Sequence, residues 1–335
     1  MEYDKKLDIT IIGNAIADVL VYPANQNIFN VDSQPVKEIK ITYGGDALNE
    51  ATVLAHLGKK VELISAVGSD ETGLRILNHL KDINVSTNKI TKKSDVSTSV
   101  NLVIVEDTGE RHFLTVPSSS QRKLFEEDVV NSLNGIGEVV SFASMFISPP
   151  LNISAMKNIF KKIKEKGSTL IVDMTTPKHQ ETLEDLRSLL PYIDYLIPNE
   201  REISLLTGTT DSYINLKKLI DAGAGCAVIK RGKKGCLIGY KNTTIRIPSY
   251  PFAKCLDTTG AGDNFVAGFI WALSKKWDAF DAGCFATAVS SLVVEEVGAT
   301  LHEYSIEKIF ERYRIIKEMA LKDDINRIES QANYE

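Results

Sequence analysis

The run Asp257-Thr258-Thr259-Gly260-Ala261-Gly262-Asp263 leads straight into an apolar helical stretch, Val266 to Leu273. A small, glycine-rich turn that opens a helix leaves backbone N–H groups unpaired at the positive end of the helix dipole. Such a turn is an anion cradle. A plain glycine turn with an acid at a helix start accounts for Asp263 alone, not for two glycines, two threonines and two aspartates in seven residues. Asp18 interrupts an otherwise apolar strand, where a half-buried carboxylate needs donors such as a pair of vicinal hydroxyls. The competing reading is an edge charge that keeps the strand from pairing with another chain. Asn199 and Glu202, three apart at a helix start, share a face and have the spacing to hold Mg²⁺ through waters; taken alone, they are better explained as a capping box. Lys230 and Arg231 begin a KRGKKG run that serves equally as a phosphate contact or a solvated basic turn.

These groups need a scaffold. Strand-like runs, Ile9 to Ile12, Val61 to Val67, Val139 to Phe142, Thr169 to Val172, Tyr195 to Ile197 and Cys226 to Ile229, alternate with amphipathic helical segments. Ala47, Ala51 and Leu54 keep one helical face before Gly58, and Ala155, Ile159 and Ile163 keep another before Gly167. The rhythm is βαβ, which predicts a parallel sheet with helices on both faces. Two regions break it: Val19 to Tyr22 with Val36 to Ile41, and Ser97 to Val116 around the turn Asp107-Thr108-Gly109-Glu110. Neither has room for a helix between its strands, so both are expected to be antiparallel excursions that together build a small β lid. The last thirty residues read as one long helix with a polar end.

At 335 residues the chain holds roughly two domains, at about 150 residues each, or one large α/β domain with an insertion. With 43% hydrophobic and 25% charged residues, wholesale disorder and a membrane channel are poor readings. The net charge of −5 gives no positive field to collect nucleic acid or anionic lipid, so neither partner is expected. The first fifteen residues lack the apolar core of a secretory signal, and no run approaches the roughly 18 residues of a membrane span. Cys226, Cys236, Cys255 and Cys284 form no CxxC pair and are expected to be buried free thiols in a reducing cytoplasm. His56, His79, His112, His179 and His302 are too scattered to suggest a transition-metal site.

The glycine turn from Asp257 to Phe265 resembles the second signature of the ribokinase-like (pfkB) carbohydrate kinases, and other landmarks follow it along almost the whole chain. Gly44-Gly45-Asp46-Ala47-Leu48-Asn49-Glu50-Ala51 is similar to the first signature, a GG-x-x-x-N turn into a sugar-binding helix. Pro198-Asn199-Glu200-Arg201-Glu202 matches the N-x-x-E motif, Val228 to Gly235 resembles the strand and glycine loop beside the nucleotide, and Thr98 to Phe113 is similar to the lid hairpin. The resemblance implies a three-layer ribokinase-like α/β fold with a mostly parallel central sheet and a small β lid. Residues 1–13, 43–96 and 117–335 would form the nucleotide- and substrate-binding core, and 14–42 and 97–116 the lid.

It also implies ATP-dependent phosphorylation of a hydroxyl on a sugar. Asp263 would be the general base, placed within reach of the alcohol proton, and the amides of Gly260, Ala261 and Gly262 would neutralise charge on the phosphoryl oxygens. The alcohol loses its proton late in a loose transition state, so Asp263 needs position more than an unusual pKa. Asp18, Gly44, Gly45 and Asn49 would bind the acceptor. Asn199, Lys230, Gly232, Gly235, Thr258, Gly260 and Gly262 would bind the nucleotide. Asn199 and Glu202 would hold Mg²⁺ through waters, the family context outweighing the capping reading. Asp257 and Thr259 belong to the region where relatives complete a monovalent-cation (K⁺) site, which Glu295-Glu296-Val297-Gly298 alters here. Thr287 falls near where some relatives contact adenine.

Asp46 stands where several relatives carry Lys, and an extra acid near the acceptor disfavours a phosphate or carboxylate on it; a neutral sugar follows. A nucleoside kinase is the alternative within the family. A binding-only relative would have no need of Asp263. A dinucleotide dehydrogenase would need a GxGxxG, for which Gly13-Asn14-Ala15-Ile16-Ala17 is a poor substitute. Relatives commonly cover the lid's exposed face with a second subunit's lid, which makes a homodimer the expected assembly.

Overall fold

The computed structural model describes residues 7–107 and 110–332, with side chains to Lys322. The expected turn residues Thr108 and Gly109 lie outside the described part. Thirteen strands are present among the described residues. In chain order they are β1 Ile9–Ile12, β2 Ile16–Tyr22, β3 Glu38–Gly44, β4 Val61–Gly68, β5 Ile90–Lys93, β6 Val100–Val105 and β7 Arg111–Leu114. After these come β8 Val139–Met145, β9 Thr169–Met174, β10 Tyr195–Leu196, β11 Ala227–Lys230, β12 Cys236–Tyr240 and β13 Thr243–Ile247.

Nine of them form one sheet in the order β13-β12-β11-β10-β9-β8-β1-β4-β5. It is parallel from β5 to β11 and antiparallel only at the β11-β12-β13 end. The central strands are buried on both faces, which is why they read as continuous apolar runs. Successive residues serve opposite layers. Ile9, Ile11 and Leu63 pack with the helices Asp46–His56, Ala261–Ser274 and Ala279–Val293, whereas Ile12, Ile64 and Val140 pack with Ile153–Glu165, Glu200–Thr207 and Ser212–Asp221. The result is a three-layer α/β sandwich.

The remaining strands make a separate sheet, β3-β2-β6-β7. Each excursion is an antiparallel pair, as expected, but the seam between them, β2 with β6, is parallel. Both strands leave the large sheet in the same direction, so their meeting cannot be antiparallel. The edge strand β5 and the hairpin β12-β13 had no separate sequence signal: the hairpin turns through Lys241-Asn242 with no glycine to mark it. Cys226, Cys236 and Cys284 are buried free thiols, but Cys255 is exposed, contrary to expectation, because it lies in the irregular stretch between β13 and the glycine turn. No described helix is long and apolar enough to cross a membrane.

Candidate active site

Parallel strands end on one side of the sheet, and the crevice beyond their carboxyl ends is where an α/β fold collects ligands. Here β9 delivers Asp173, β11 delivers Lys230, and the segment after β10 delivers Asn199 and Glu202. Across from them the helix Ala261–Ser274 begins with Ala261, Gly262 and Asp263. These residues, with Asp46, Gly232, Gly235 and Thr287, line a cavity of about 390 Å³. The structure thus brings together most of the predicted nucleotide and catalytic residues, from three separate stretches of chain, with Asp46, Asp173 and Thr287 from three more.

Gly260 caps the helix with φ +68°, and a Cβ there would stand 2.1 Å from Ala299 O, so only glycine makes this turn. Ala261 N donates to Thr258 O (3.2 Å), which partly spends one of the three amides expected to meet phosphate. Among the described residues the Gly262 amide has no backbone acceptor and faces the cavity. Thr258 contributes that carbonyl and does not border the cavity. Asn264, wholly buried, ties the turn down: its Nδ2 donates to Gly260 O and Ala299 O (both 2.8 Å), and its Oδ1 accepts from the Tyr304 hydroxyl (2.5 Å).

Asp263 accepts a hydrogen bond from Asn49 Nδ2 at 2.7 Å. The first signature therefore meets the second across 214 residues of sequence. Removal from water, followed by repulsion from Asp173 and Glu202, raises the Asp263 carboxyl to about 7, against the pull of Asn49 and Lys230. The expectation was that Asp263 needed no unusual pKa; its pKa is raised chiefly because the carboxyl is buried, and further because Asp173 and Glu202 share the cavity. Lys230 Nζ is bonded to Asp173 Oδ2 at 2.6 Å, both side chains nearly buried. Arg231 turns away to Glu200 (3.1 Å) and the Tyr213 ring. The basic run thus splits into one cavity lysine and a half-buried arginine turned away from the cavity.

Asn199 and Glu202 do form the capping box: Asn199 Oδ1 accepts Glu202 N (2.9 Å), and Glu202 Oε2 accepts Asn199 N (2.8 Å). They also border the cavity, where burial pushes the Glu202 carboxyl up to about 7. The capping and cavity roles coexist on the same pair. With Asp46, Asp173 and Asp263 they make an oxygen-rich donor set that fits a hydrated divalent cation.

Asp257 does not fit an added cation. Its carboxylate accepts Thr259 N (2.9 Å), Thr259 Oγ1 (2.8 Å), Gly298 N (2.9 Å) and the guanidinium of Arg111, which also reaches Thr259. Those donors hold its pKa low and leave no position for K⁺ on that side chain without displacing Arg111. Elsewhere, ligand atoms of Glu106, Glu110 and His112 lie within 4.8 Å of one another, an exposed grouping that the scattered histidines did not announce.

The predicted acceptor residues cluster beside Asp263. A Cβ on Gly44 would stand 2.8 Å from Asp18 Oδ2 and 3.6 Å from Asn49 Oδ1, so the backbone approaches both side chains closely. Gly45 and Asp46 line a second cavity of about 240 Å³ with Asn14, Asn101 and Arg122. Asp46 borders both cavities and is held by Ser144 Oγ; burial, then the nearby Asp263, pushes its pKa well up. Asp18 accepts from Asn101 Nδ2 (2.9 Å) and faces a third cavity of about 580 Å³ under β2 and β6. Burial raises its pKa as well.

Asp173, Asn101 and Ser144 escaped sequence reasoning. Asp173 had a usable signal, an acid closing the apolar strand Thr-Leu-Ile-Val-Asp-Met, the same signal that singled out Asp18. Asn101 and Ser144 are ordinary polar residues whose importance depends on a fold-level meeting.

The sequence pattern of the "pfkB family carbohydrate kinase" matches residues 6–305. A nucleoside kinase of Methanocaldococcus jannaschii is 27% identical over 316 residues, covering 91% of this chain and 96% of its own. A ribokinase of Staphylococcus aureus is 28% identical over 76% of this chain and 83% of its own. The structure of Arabidopsis thaliana ribokinase complexed with ribose and ATP superposes with a TM-score of 0.76 at 24% identity, covering 92% of this chain and 99% of that one. With the family pattern spanning nearly the whole chain, and the glycine turn, Asp263 and Asn49 assembled at one cleft, the chain belongs to the pfkB, ribokinase-like family of carbohydrate kinases.

Proposed function

We propose that this protein transfers the γ-phosphoryl group of ATP to a hydroxyl of a neutral sugar. The observation that supports this most is the Asn49–Asp263 hydrogen bond, which joins the acceptor motif to the proposed base in the wall of the 390 Å³ cavity. ATP would lie over Gly232, Gly235 and Thr287 with its phosphates toward Lys230 and the Gly262 amide. Asn199 and Glu202 would hold Mg²⁺ through waters, and the ion would supply charge for the phosphates. Asp263 would accept the acceptor's proton, while Asp18, Gly44, Gly45 and Asn49 would hold the sugar. The β2-β3-β6-β7 sheet would act as the lid that excludes water.

Asp46 supports a neutral acceptor, since it reaches the acceptor cavity, where an added anion would be repelled by the ionised carboxyl or would have to drive its protonation. Arg111, the basic residue best placed on the small sheet to welcome a phosphate, is spent on Asp257. The test is kcat/KM for fructose, ribose and adenosine against fructose 6-phosphate, in wild type and in Asp46→Lys. Fructose or ribose should exceed fructose 6-phosphate by about tenfold or more, and Asp46→Lys should narrow the gap. A wild type that prefers the sugar phosphate refutes the neutral-acceptor reading. The nucleoside reading draws support from the 580 Å³ cavity beside Asp18, lined by Leu20, Tyr22, Val103 and Val105, which has room and apolar walls for a base. Adenosine outperforming both sugars would establish it.

The small sheet's other face carries Val19, Ile39, Ile41, Leu102 and Leu114, with Ile39, Ile41 and Leu114 more than half exposed. We propose that a second copy of the chain covers it. Light scattering at micromolar concentration should report a dimer, and Ile41→Asp a monomer; a monomeric wild type rejects this.

A further inference from the structure

The 240 Å³ cavity contains a positive charge that the roles assigned above do not use. Four arginines are half-buried among the described residues. Three have acidic partners: Arg111 with Asp257, Arg231 with Glu200, and Arg312 with Glu295. Arg122 has no ion pair among the described residues, and its Nε is buried without a hydrogen-bond partner. It borders the cavity that Asp46, Gly45 and Asn101 also line. Two more buried polar atoms are unpaired beside the acceptor position: Asn49 Oδ1, and Asn101 Oδ1, whose Nδ2 is spent on Asp18. Native proteins rarely leave buried donors and acceptors unmatched, since each loses its hydration for nothing; Arg122 and Asn101 both line this one cavity, where a bound molecule can supply the missing partners.

We infer that Arg122 is a specificity-determining residue of the acceptor site, donating through its guanidinium to one or two oxygens at the end of the sugar remote from the hydroxyl that is phosphorylated. The inference rests on the sugar-kinase reading and adds a direction to it. Asp46 lies toward Asp263 and borders both cavities, whereas Arg122 borders only the smaller one. An acid and a guanidinium thus face the same cavity, so it offers a polyhydroxylated acceptor both kinds of hydrogen-bond partner and polarises it. Hydroxyls that must donate are drawn to Asp18 and Asp263; oxygens that must accept are drawn to Arg122. The fixed fork of a guanidinium can hold two such oxygens at once, which the point charge of a lysine cannot reproduce.

The test is calorimetric binding, independent of turnover, on wild type, Arg122→Leu and Arg122→Lys. The probes are the tightest-binding sugar among fructose, ribose and glucose, its monodeoxy forms, and ATP. In the wild type, deleting one hydroxyl remote from the phosphorylated one should weaken binding at least tenfold. Arg122→Leu should bind the parent sugar at least tenfold more weakly, keep ATP affinity within twofold, and respond less than twofold to that same deletion; Arg122→Lys should recover only part of the loss. Unchanged sugar affinity in Arg122→Leu, an undiminished deletion penalty, or an equal loss of ATP affinity overturns the inference while leaving the sugar-kinase reading standing. A wild type that binds none of the sugars overturns that reading, and this inference with it.

Discussion

Asp263→Asn is expected to lower kcat by about 10² to 10⁴, the usual worth of a general base, with ATP affinity within twofold of wild type. Asparagine has the same shape and retains a group that can meet Asn49, so the turn from Gly260 to Gly262 keeps its geometry and nucleotide binding survives. What would disappear is the group proposed to accept the alcohol's proton. The wild-type pH profile carries the same information. With the Asp263 carboxyl at about 7, the ionised form that can take a proton gains population as pH rises, so kcat/KM should climb between pH 5.5 and 8 with an apparent midpoint near 7. The Asn49 hydrogen bond favours the charged form, so Asn49→Leu should move the midpoint to higher pH as well as weaken the acceptor. An Asp263→Asn enzyme that keeps most of its turnover would remove Asp263 from the reaction and return the turn to a structural role.

The glycine turn was legible because its chemistry is local. Seven consecutive residues carry the helix start, the left-handed Gly260 and the acid, and no distant contact is needed to see that amides point outward there. The buried strands were legible for the same reason, Ile9 to Ile12 and Val139 to Phe142 being apolar on both faces. Asp173 was not, although its strand was. Nothing local says that the acid at the end of β9 meets the lysine at the end of β11, since that pairing is made by the order of strands in the sheet. The parallel seam of the small sheet was hidden likewise, because β2 and β6 lie about eighty residues apart and each looked complete as half of its own hairpin. Asn199 and Glu202 show a different limit. One spacing served both a cap and a cavity wall, and reading them as exclusive alternatives imposed a choice that the fold does not make.

Lys230→Met should destabilise the protein by about 3–5 kcal/mol at pH 8, the range found when one partner of a buried ion pair is removed. Asp173 and Lys230 expose only 7% and 12% of their side chains, too little for solvent to screen what remains. Among the described residues Lys230 is also the only lysine or arginine bordering a cavity that Asp46, Asp173, Glu202 and Asp263 share, so its loss leaves four carboxylates facing one another. The penalty should depend on pH, and its sign follows from the raised pKa values. Asp263 and Glu202 titrate near 7 in the folded protein but near 4 in the unfolded chain. Between those values the folded state holds more protons, so these groups weaken the fold as pH rises through about 7. Without the lysine their folded pKa values climb further, and the carboxylates can escape repulsion by taking protons at pH 6 but much less at pH 8. Urea unfolding of wild type and Lys230→Met should therefore show a clearly smaller stability gap at pH 6 than at pH 8. Adding Asp173→Asn to Lys230→Met should recover part of the loss, because the stranded charge is then removed along with its partner. A gap that is the same at both pH values would mean that Lys230 supports the fold through the packing of its stem, and that the cavity carboxylates are kept apart by something other than its charge.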